Sequence, residues 1–517
     1  MPFDQDVWEE FEVKARTSFP KRYTHFDRPF DVEKGLIKLK NLLKDPSGKG
    51  IARHPFFPFL KIFIKTPRYR YQDELSSYGL DTKERPISFA AHFDALIFTY
   101  FDLMLKRKYQ QYIRGKGFSE CVLAYRDDLD GKCNIQFAKE IFDQISEKCK
   151  TGGAYTAIGF DIKGYFDTIP HAELKRHWQT VLETPKMDEN TFAVFKALTT
   201  YSYAAANSLK KHFNFDKIER GKSLLDIMPY TLTGGRQVHE KFGYLRRMNL
   251  VACNNSFLEN SAQDHPLGIG QIPRGIPQGS AISSTLSNVY LLEFDKHMHN
   301  LCSTMQSVYR RYCDDILIIC KTKDVDYLRD RLCQQLDYHG LKIQKDKTEV
   351  IDFRKTYKKV VAFDGSENAV KGKRKKLQYL GFEFDGERVY IRPGSLSRYF
   401  RKMKAGIRNT VLKAYGKRSD TTKILTKDLL AKYAHTGRNN FISYAYRAAS
   451  ESYGSGINIK EGFNSPAIKR QLSRHFTILQ SELNKENEQR YALKLKEALW
   501  RQASNKTVKM VAKRKLI

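Results

Sequence analysis

Two adjacent carboxylates, Asp314 and Asp315, interrupt the stretch YRRYCDDILIIC, Tyr309 to Cys320, whose second half is almost wholly apolar. The β-branched and aromatic runs on either side, Val308–Tyr312 and Ile316–Cys320, read as two short strands, with the aspartates at the tip of a tight hairpin. Like charges so close repel, and burial adds a desolvation cost. A divalent cation removes that cost, and hard oxygen donors favour Mg²⁺ over zinc. Alone, an Asp-Asp pair is far more often an ordinary turn.

Two further stretches change its meaning. In GFDIKGYFDTIPH, Gly159 to His171, an apolar strand Tyr155–Phe160 ends where Asp161 emerges. In RGIPQGSAISSTLSNVYLLEFD, Arg274 to Asp295, the residues Gly275, Pro277 and Gly279 make a turn that leads into a helix over Ser280–Phe294. A glycine-bearing loop entering a helix lets backbone approach a nucleotide or template base closely. Two Mg²⁺ ions roughly 4 Å apart, with Mn²⁺ as a substitute, suit in-line phosphoryl transfer: one activates a 3′-hydroxyl, the other steadies leaving pyrophosphate.

Composition agrees with that chemistry. The 517 residues exceed one compact core, so two or three domains are expected. Ninety basic against 58 acidic side chains leave a charge of +32. An anionic partner offsets such an excess, nucleic acid first and a membrane surface second. The N-terminus is acidic and polar, unlike a secretory signal, and the most apolar stretch, Ala95–Leu105, is broken by Asp102 and too short to span a bilayer. Eight cysteines without a C-x-x-C pair fit a reducing cytosol, hence a cytoplasmic protein.

Along the chain, residues 1–84 read as an N-terminal extension contributing to the first lobe. Helical spacing runs over Ile87–Tyr112 and Asn134–Cys149, and further strands over Glu349–Phe353, Gln378–Phe384 and Val389–Ile391. Helices on one face of an antiparallel sheet make an α+β layer. Beyond Pro393 the strand signals stop and the rest is helical and basic. The run Lys371–Lys376 is either a disordered basic tip or a phosphate contact.

The ordered set F-D-x-x-x-x-F-D, P-Q-G, Y-x-D-D, a lysine after G-L-K-I, and L-G-F resembles a reverse transcriptase over residues 85–392. The resemblance implies a right-hand polymerase: fingers, a palm with the antiparallel sheet, and an α-helical thumb and C-terminal region over 393–517. It implies that Asp161, Asp314, Asp315 and the carbonyl of Ile162 hold two metals, with Lys347 as general acid or else a surface lysine. Arg85, assisted by Lys83, grips the triphosphate; Phe166 is a steric gate against ribose, or else a core ring; Gln278 and Gly279 line the pocket. Tyr379, Leu380 and Gly381 match the primer grip.

The spacing from Asp161 to Gln278 is long for the family, and about 185–270 reads as an insertion. Its basic stretch Arg236–Arg247 either binds RNA or is a solvated helix face. Cysteine replaces the usual alanine before the aspartate pair, and the downstream marks of mobile-intron, retron and retroviral enzymes are lacking. By elimination the chain most resembles the stand-alone bacterial enzymes of the abortive-infection and defence-associated groups. That implies antiphage defence, a partner non-coding RNA copied into DNA from deoxynucleotides, and self-assembly. Three alternatives stay open: template-independent or protein-primed homopolymer synthesis, an RNA-binding structural protein with relic motifs, and an RNA-dependent RNA polymerase.

Overall fold

The computed structural model describes residues 3–19, 21, 23–72, 77–214, 223–228, 238–254, 273–344, 348–357, 359–366, 369–370, 372–416 and 424–514. Helix and sheet are mixed. Two compact units form, each from separate stretches of chain. The first comprises Met1–Asp128, Gly159–Ile318 and Asp324–Thr348; the second Leu129–Ile158, Ile319–Lys323 and Glu349–Ile517. Among the described residues no helix is long and apolar enough to cross a membrane.

In the first unit a long antiparallel hairpin joins β1, Phe59–Gln72, to β2, Ser77–Phe89. The helical spacing expected from Ile87 therefore begins late. Ile87 and Phe89 pair with Ile62 and Leu60 in the ladder, and the helix runs over His92–Gly115. Its start is set by a distant side chain: Asp27 accepts from the N–H groups of His92 and Phe93 at 2.8 and 3.3 Å. That satisfies two of the orphan donors of the first turn and puts a negative charge at the positive helix end.

The described residues of the stretch about 185–270 extend this hairpin. Strand β3, Tyr155–Asp161, belongs to a different sheet, whereas β4, Ser202–Ala205, pairs parallel with β1, and β5, Ala252–Cys253, pairs antiparallel with β4. Leu209, Leu245 and Val251 from this stretch pack with Phe26 and Leu60 in one apolar cluster. The helix Val238–Arg247 thus buries Leu245 and leaves Arg246 and Arg247 exposed, while Arg236 lies outside the described residues.

Also in the first unit, β6, Val308–Tyr312, the start of β7, Asp315–Lys321, and the end of β3 lie side by side in that order. The helix expected over Ser280–Phe294 is instead two, Ser283–Tyr290 and Leu292–Thr304. The break falls where His177 Nδ1 donates to the Tyr290 carbonyl at 2.7 Å.

In the second unit β8, Glu349–Thr356, pairs antiparallel with β9, Lys359–Asp364. A three-stranded meander follows: β10, Leu377–Tyr379; β11, Phe382–Phe384; β12, Val389–Ile391. Lys371 lies outside the described residues, but the rest of the basic run folds back on β9. Asp364 N–H donates to the Lys373 carbonyl at 2.8 Å, and Lys375 lies 3.4 Å from the Asp364 carboxylate. Helices dominate after Arg392, yet strands do not stop: Ser452–Tyr453 and Lys460–Glu461 form a short antiparallel ladder. Each is two residues long, below what alternation can signal.

Candidate active site

The hairpin tip is built from beneath. Along β6 the alternation of the pleat turns Tyr309 and Arg311 inward, and both are buried. A buried guanidinium is tolerated only when paired. Arg311 donates to both oxygens of Asp295, at 2.7 and 2.5 Å, and to the Asn288 side chain at 3.1 Å. The nitrogen that reaches Asn288 also donates to the Cys313 carbonyl at 3.0 Å. Tyr309 donates to the same carboxylate at 2.7 Å. Burial alone would lower the Arg311 pKa, but the Asp295 charge outweighs it and holds the group protonated.

Cys313 sits in the left-handed region at φ +59°, so the chain turns there and delivers Asp314 at the tip. The Tyr125 hydroxyl donates to the Cys313 sulfur at 3.3 Å. Tyr125 is itself left-handed, at φ +61°, and the adjoining backbone is anchored: Asn288 donates to the Ala124 carbonyl at 2.9 Å and Leu123 N–H to the Arg311 carbonyl at 2.9 Å. Burial pushes the Cys313 thiol up to about 12, so it stays neutral at ordinary pH.

The backbone brings Asp161 to this tip. Ile162 N–H donates to the Asp314 carbonyl at 3.2 Å, while Gln344 N–H donates to the Asp161 carbonyl at 2.8 Å. Asp161 and Asp314 are partly exposed and Asp315 is exposed. The Ile162 side chain is buried, which leaves only its backbone for the site. Among the described residues no three His, Cys, Asp or Glu side chains gather closely enough to hold a metal. Two carboxylates from neighbouring strand ends nonetheless supply the hard oxygen donors that Mg²⁺ prefers. Lys347 lies outside the described residues.

A second loop closes on the same segment. Ile276 N–H donates to the Phe166 carbonyl at 2.9 Å and Gly275 N–H to the Ile169 carbonyl at 2.8 Å, while His171 Nε2 donates to the Gly275 carbonyl at 2.8 Å. Phe166, partly buried, is therefore fixed against the P-Q-G turn. Ser88 N–H of β2 donates to the Gln278 carbonyl at 2.7 Å. Gly279, at φ +121°, lies so near that an added Cβ would stand 2.8 Å from the Ser88 carbonyl oxygen and 2.9 Å from Ile87. Gly279→Ala should therefore cost about 2 kcal/mol or more, since both conformation and space exclude a side chain. Thermal unfolding would measure it, and an unchanged midpoint would contradict this packing.

Strand alternation places Lys83, Arg85 and Ile87 on one face of β2, the face on which Gly279 abuts Ile87. Arg85 is exposed and Lys83 partly so. In the second unit, Tyr379, Leu380 and Gly381 form the β10–β11 turn, Leu380 at φ +46° and Gly381 at φ +92°. Tyr379 is buried, and Arg392 N–H donates to the Gly381 carbonyl at 3.1 Å. Sequence reasoning missed Arg311, Asp295, Asn288 and Tyr125. Only Arg311 had a legible signal, a charged residue on the inward parity of an apolar strand.

Residues 237–384, under a third of the chain, match the family model for "Reverse transcriptase (RNA-dependent DNA polymerase)". That span holds Gln278, Gly279, the aspartate pair and the β10–β11 turn; Asp161 precedes it. No curated protein matches. Among solved structures, a C-terminally truncated apo telomerase from Candida tropicalis is 10% identical, with a TM-score of 0.35 over 64% of this chain and 55% of that one. The chain thus spans little more than half of that structure. Apo telomerase from the same organism is 11% identical, with 94% and 68% covered and a TM-score of 0.35. Telomerase from Candida albicans, in complex with a TWJ fragment of telomeric RNA, is 12% identical, with 83% and 56% covered and a TM-score of 0.32. Likenesses this distant carry no weight for function.

Proposed function

We propose that the chain is an RNA-directed DNA polymerase, a reverse transcriptase working by nucleotidyl transfer. One observation carries the reading: the hydrogen bond from Ile162 N–H to the Asp314 carbonyl sets Asp161 beside the Tyr-Cys-Asp-Asp turn, inside a sheet whose later strands match the family model. Asp161 and Asp314, with Asp315 and the Ile162 carbonyl, would hold the ions. Bound Mg²⁺ supplies charge for the attacking 3′-hydroxyl and the leaving pyrophosphate.

The chain's own residues do the rest. Arg85 offers a planar fork to a triphosphate from the β2 face, with Lys83 on the same side. Gly279 keeps a side chain out of the space between the P-Q-G turn and β2, and the Gln278 side chain lines the pocket. Phe166, pinned through its carbonyl, presents a ring that would strike a ribose 2′-hydroxyl. Lys347 protonates the pyrophosphate, and the turn at Tyr379, Leu380 and Gly381 steadies the primer end. The finer reading is a bacterial, self-assembling enzyme that copies an associated non-coding RNA in antiphage defence.

Purified chain given an RNA template, a DNA primer and Mg²⁺ should incorporate deoxynucleotides in the template's order. Phe166→Ala should raise relative ribonucleotide use by about tenfold or more. Product without regard to template would support homopolymer synthesis instead. Equal ribonucleotide use by the unaltered chain would point to an RNA polymerase.

A further inference from the structure

Strand β6 ends at Tyr312 and β7 begins at Asp315, so Cys313 and Asp314 alone make the turn between them. Of the two, Cys313 lies at positive φ, +59°, and Asp314 does not. A two-residue hairpin with that requirement at its first position normally places glycine there. A cysteine disfavours the turn by roughly tenfold, and such a conformation persists only where its neighbours over-determine it.

The neighbours form a closed ring of hydrogen bonds around this turn. One nitrogen of Arg311 donates to the Cys313 carbonyl at 3.0 Å and to the Asn288 side chain at 3.1 Å. Asn288 donates in turn to the Ala124 carbonyl at 2.9 Å. The next residue, Tyr125, completes the ring, its hydroxyl donating to Cys313 Sγ at 3.3 Å. The loop that carries Tyr125 is fastened on both sides. Ahead of it, Leu123 N–H donates to the Arg311 carbonyl at 2.9 Å. Behind it, Arg126 grips both oxygens of Asp128 at 2.8 Å and donates to the Val122 carbonyl at 3.0 Å. Tyr125 is itself left-handed, at φ +61°, and is 41% exposed, so burial does not account for its placement. Among the described residues its hydroxyl has no partner besides the sulfur.

We propose that Tyr125 is a positioning residue for the metal-binding aspartate: its hydroxyl, through the Cys313 thiol, holds the turn in the strained form that sets Asp314 beside Asp161. The metal role rests on the reading as a polymerase; the hold on the turn does not. A sulfur accepts weakly, a serine oxygen accepts better, and an alanine offers no acceptor. A neutral hydrogen bond shifts an equilibrium by roughly twofold to tenfold. Losing it lowers the fraction of chains with the turn aligned, and ion binding weakens by that fraction.

Four full-length chains test this: unaltered, Tyr125→Phe, Cys313→Ala, and both changes together. Each is unfolded in urea without metal, and each extends an RNA–DNA hybrid, a DNA primer on an RNA template, across a Mg²⁺ series. Tyr125→Phe keeps the ring and removes only the donor. It should raise the Mg²⁺ concentration for half-maximal extension about threefold, while the rate at saturating Mg²⁺ stays within about twofold. Cys313→Ala should do the same, and the double variant no more than either single one. The urea midpoints should show the same non-additivity. Cys313→Ser, whose oxygen accepts the bond, should lie closer to the unaltered chain than Cys313→Ala does. Single effects that multiply in the double variant would overturn the proposal. So would a midpoint and saturating rate that fall in Tyr125→Phe with no change in the Mg²⁺ requirement, the mark of a merely structural role. Should the unaltered chain extend no primer, the polymerase reading fails and takes the metal role with it. Non-additive midpoints would then still show that Tyr125 holds the turn.

Discussion

Arg311→Met should destabilise the first unit by about 3–5 kcal/mol, the range for leaving a buried charge without its partner. The side chains of Arg311 and Asp295 are both 0% exposed, and all three guanidinium nitrogens donate hydrogen bonds. Removing it strands the Asp295 carboxylate, which no water reaches, and leaves the Cys313 carbonyl and Asn288 amide short of a donor. The double variant Arg311→Met with Asp295→Leu should recover most of that loss, because an apolar pair of similar bulk carries no desolvation cost. Polymerase activity should not recover with it, since nothing then pins the Cys313 carbonyl at the tip that carries Asp314. Urea unfolding with primer extension on the same samples would separate the two effects. A single-variant cost below about 1 kcal/mol would mean that the pair is not the support of this turn.

Asp161→Asn and Asp314→Asn should each reduce nucleotide incorporation at least about a thousandfold while hybrid binding stays within a factor of three. Asparagine keeps the shape and one oxygen donor but removes the charge that a hard cation needs. The two side chains act as one unit, so the double variant should be little worse than either single one. Stability should change little, because each substitution keeps the side chain's shape and removes one of two neighbouring like charges.

Much of this arrangement was readable in the chain. The strand before Asp161, the two strands around the aspartate pair and the glycine turn before a helix all follow from runs whose period and punctuation agree. What was not readable depended on partners far off in sequence. The start of the His92 helix is decided by Asp27, and the break after Tyr290 coincides with a bond from His177. Ile87 to Phe89 look helical beside the apolar residues that follow, yet the β1 ladder claims them. Arg311 is legible as an inward charge, but Asp295 as its partner is not, since helical spacing alone does not say which face meets β6. Tyr125 gives no signal at all, because its role comes from a left-handed backbone and a contact with Cys313 that no local pattern encodes.

The most direct measurement is Mg²⁺-dependent extension of a DNA primer on an RNA template by Asp161→Asn. If that carboxylate and Asp314 share the ions, product should vanish while the folded chain still holds the hybrid. Extension above about a tenth of the unaltered rate would contradict the shared site and the role of Asp161 as a metal ligand.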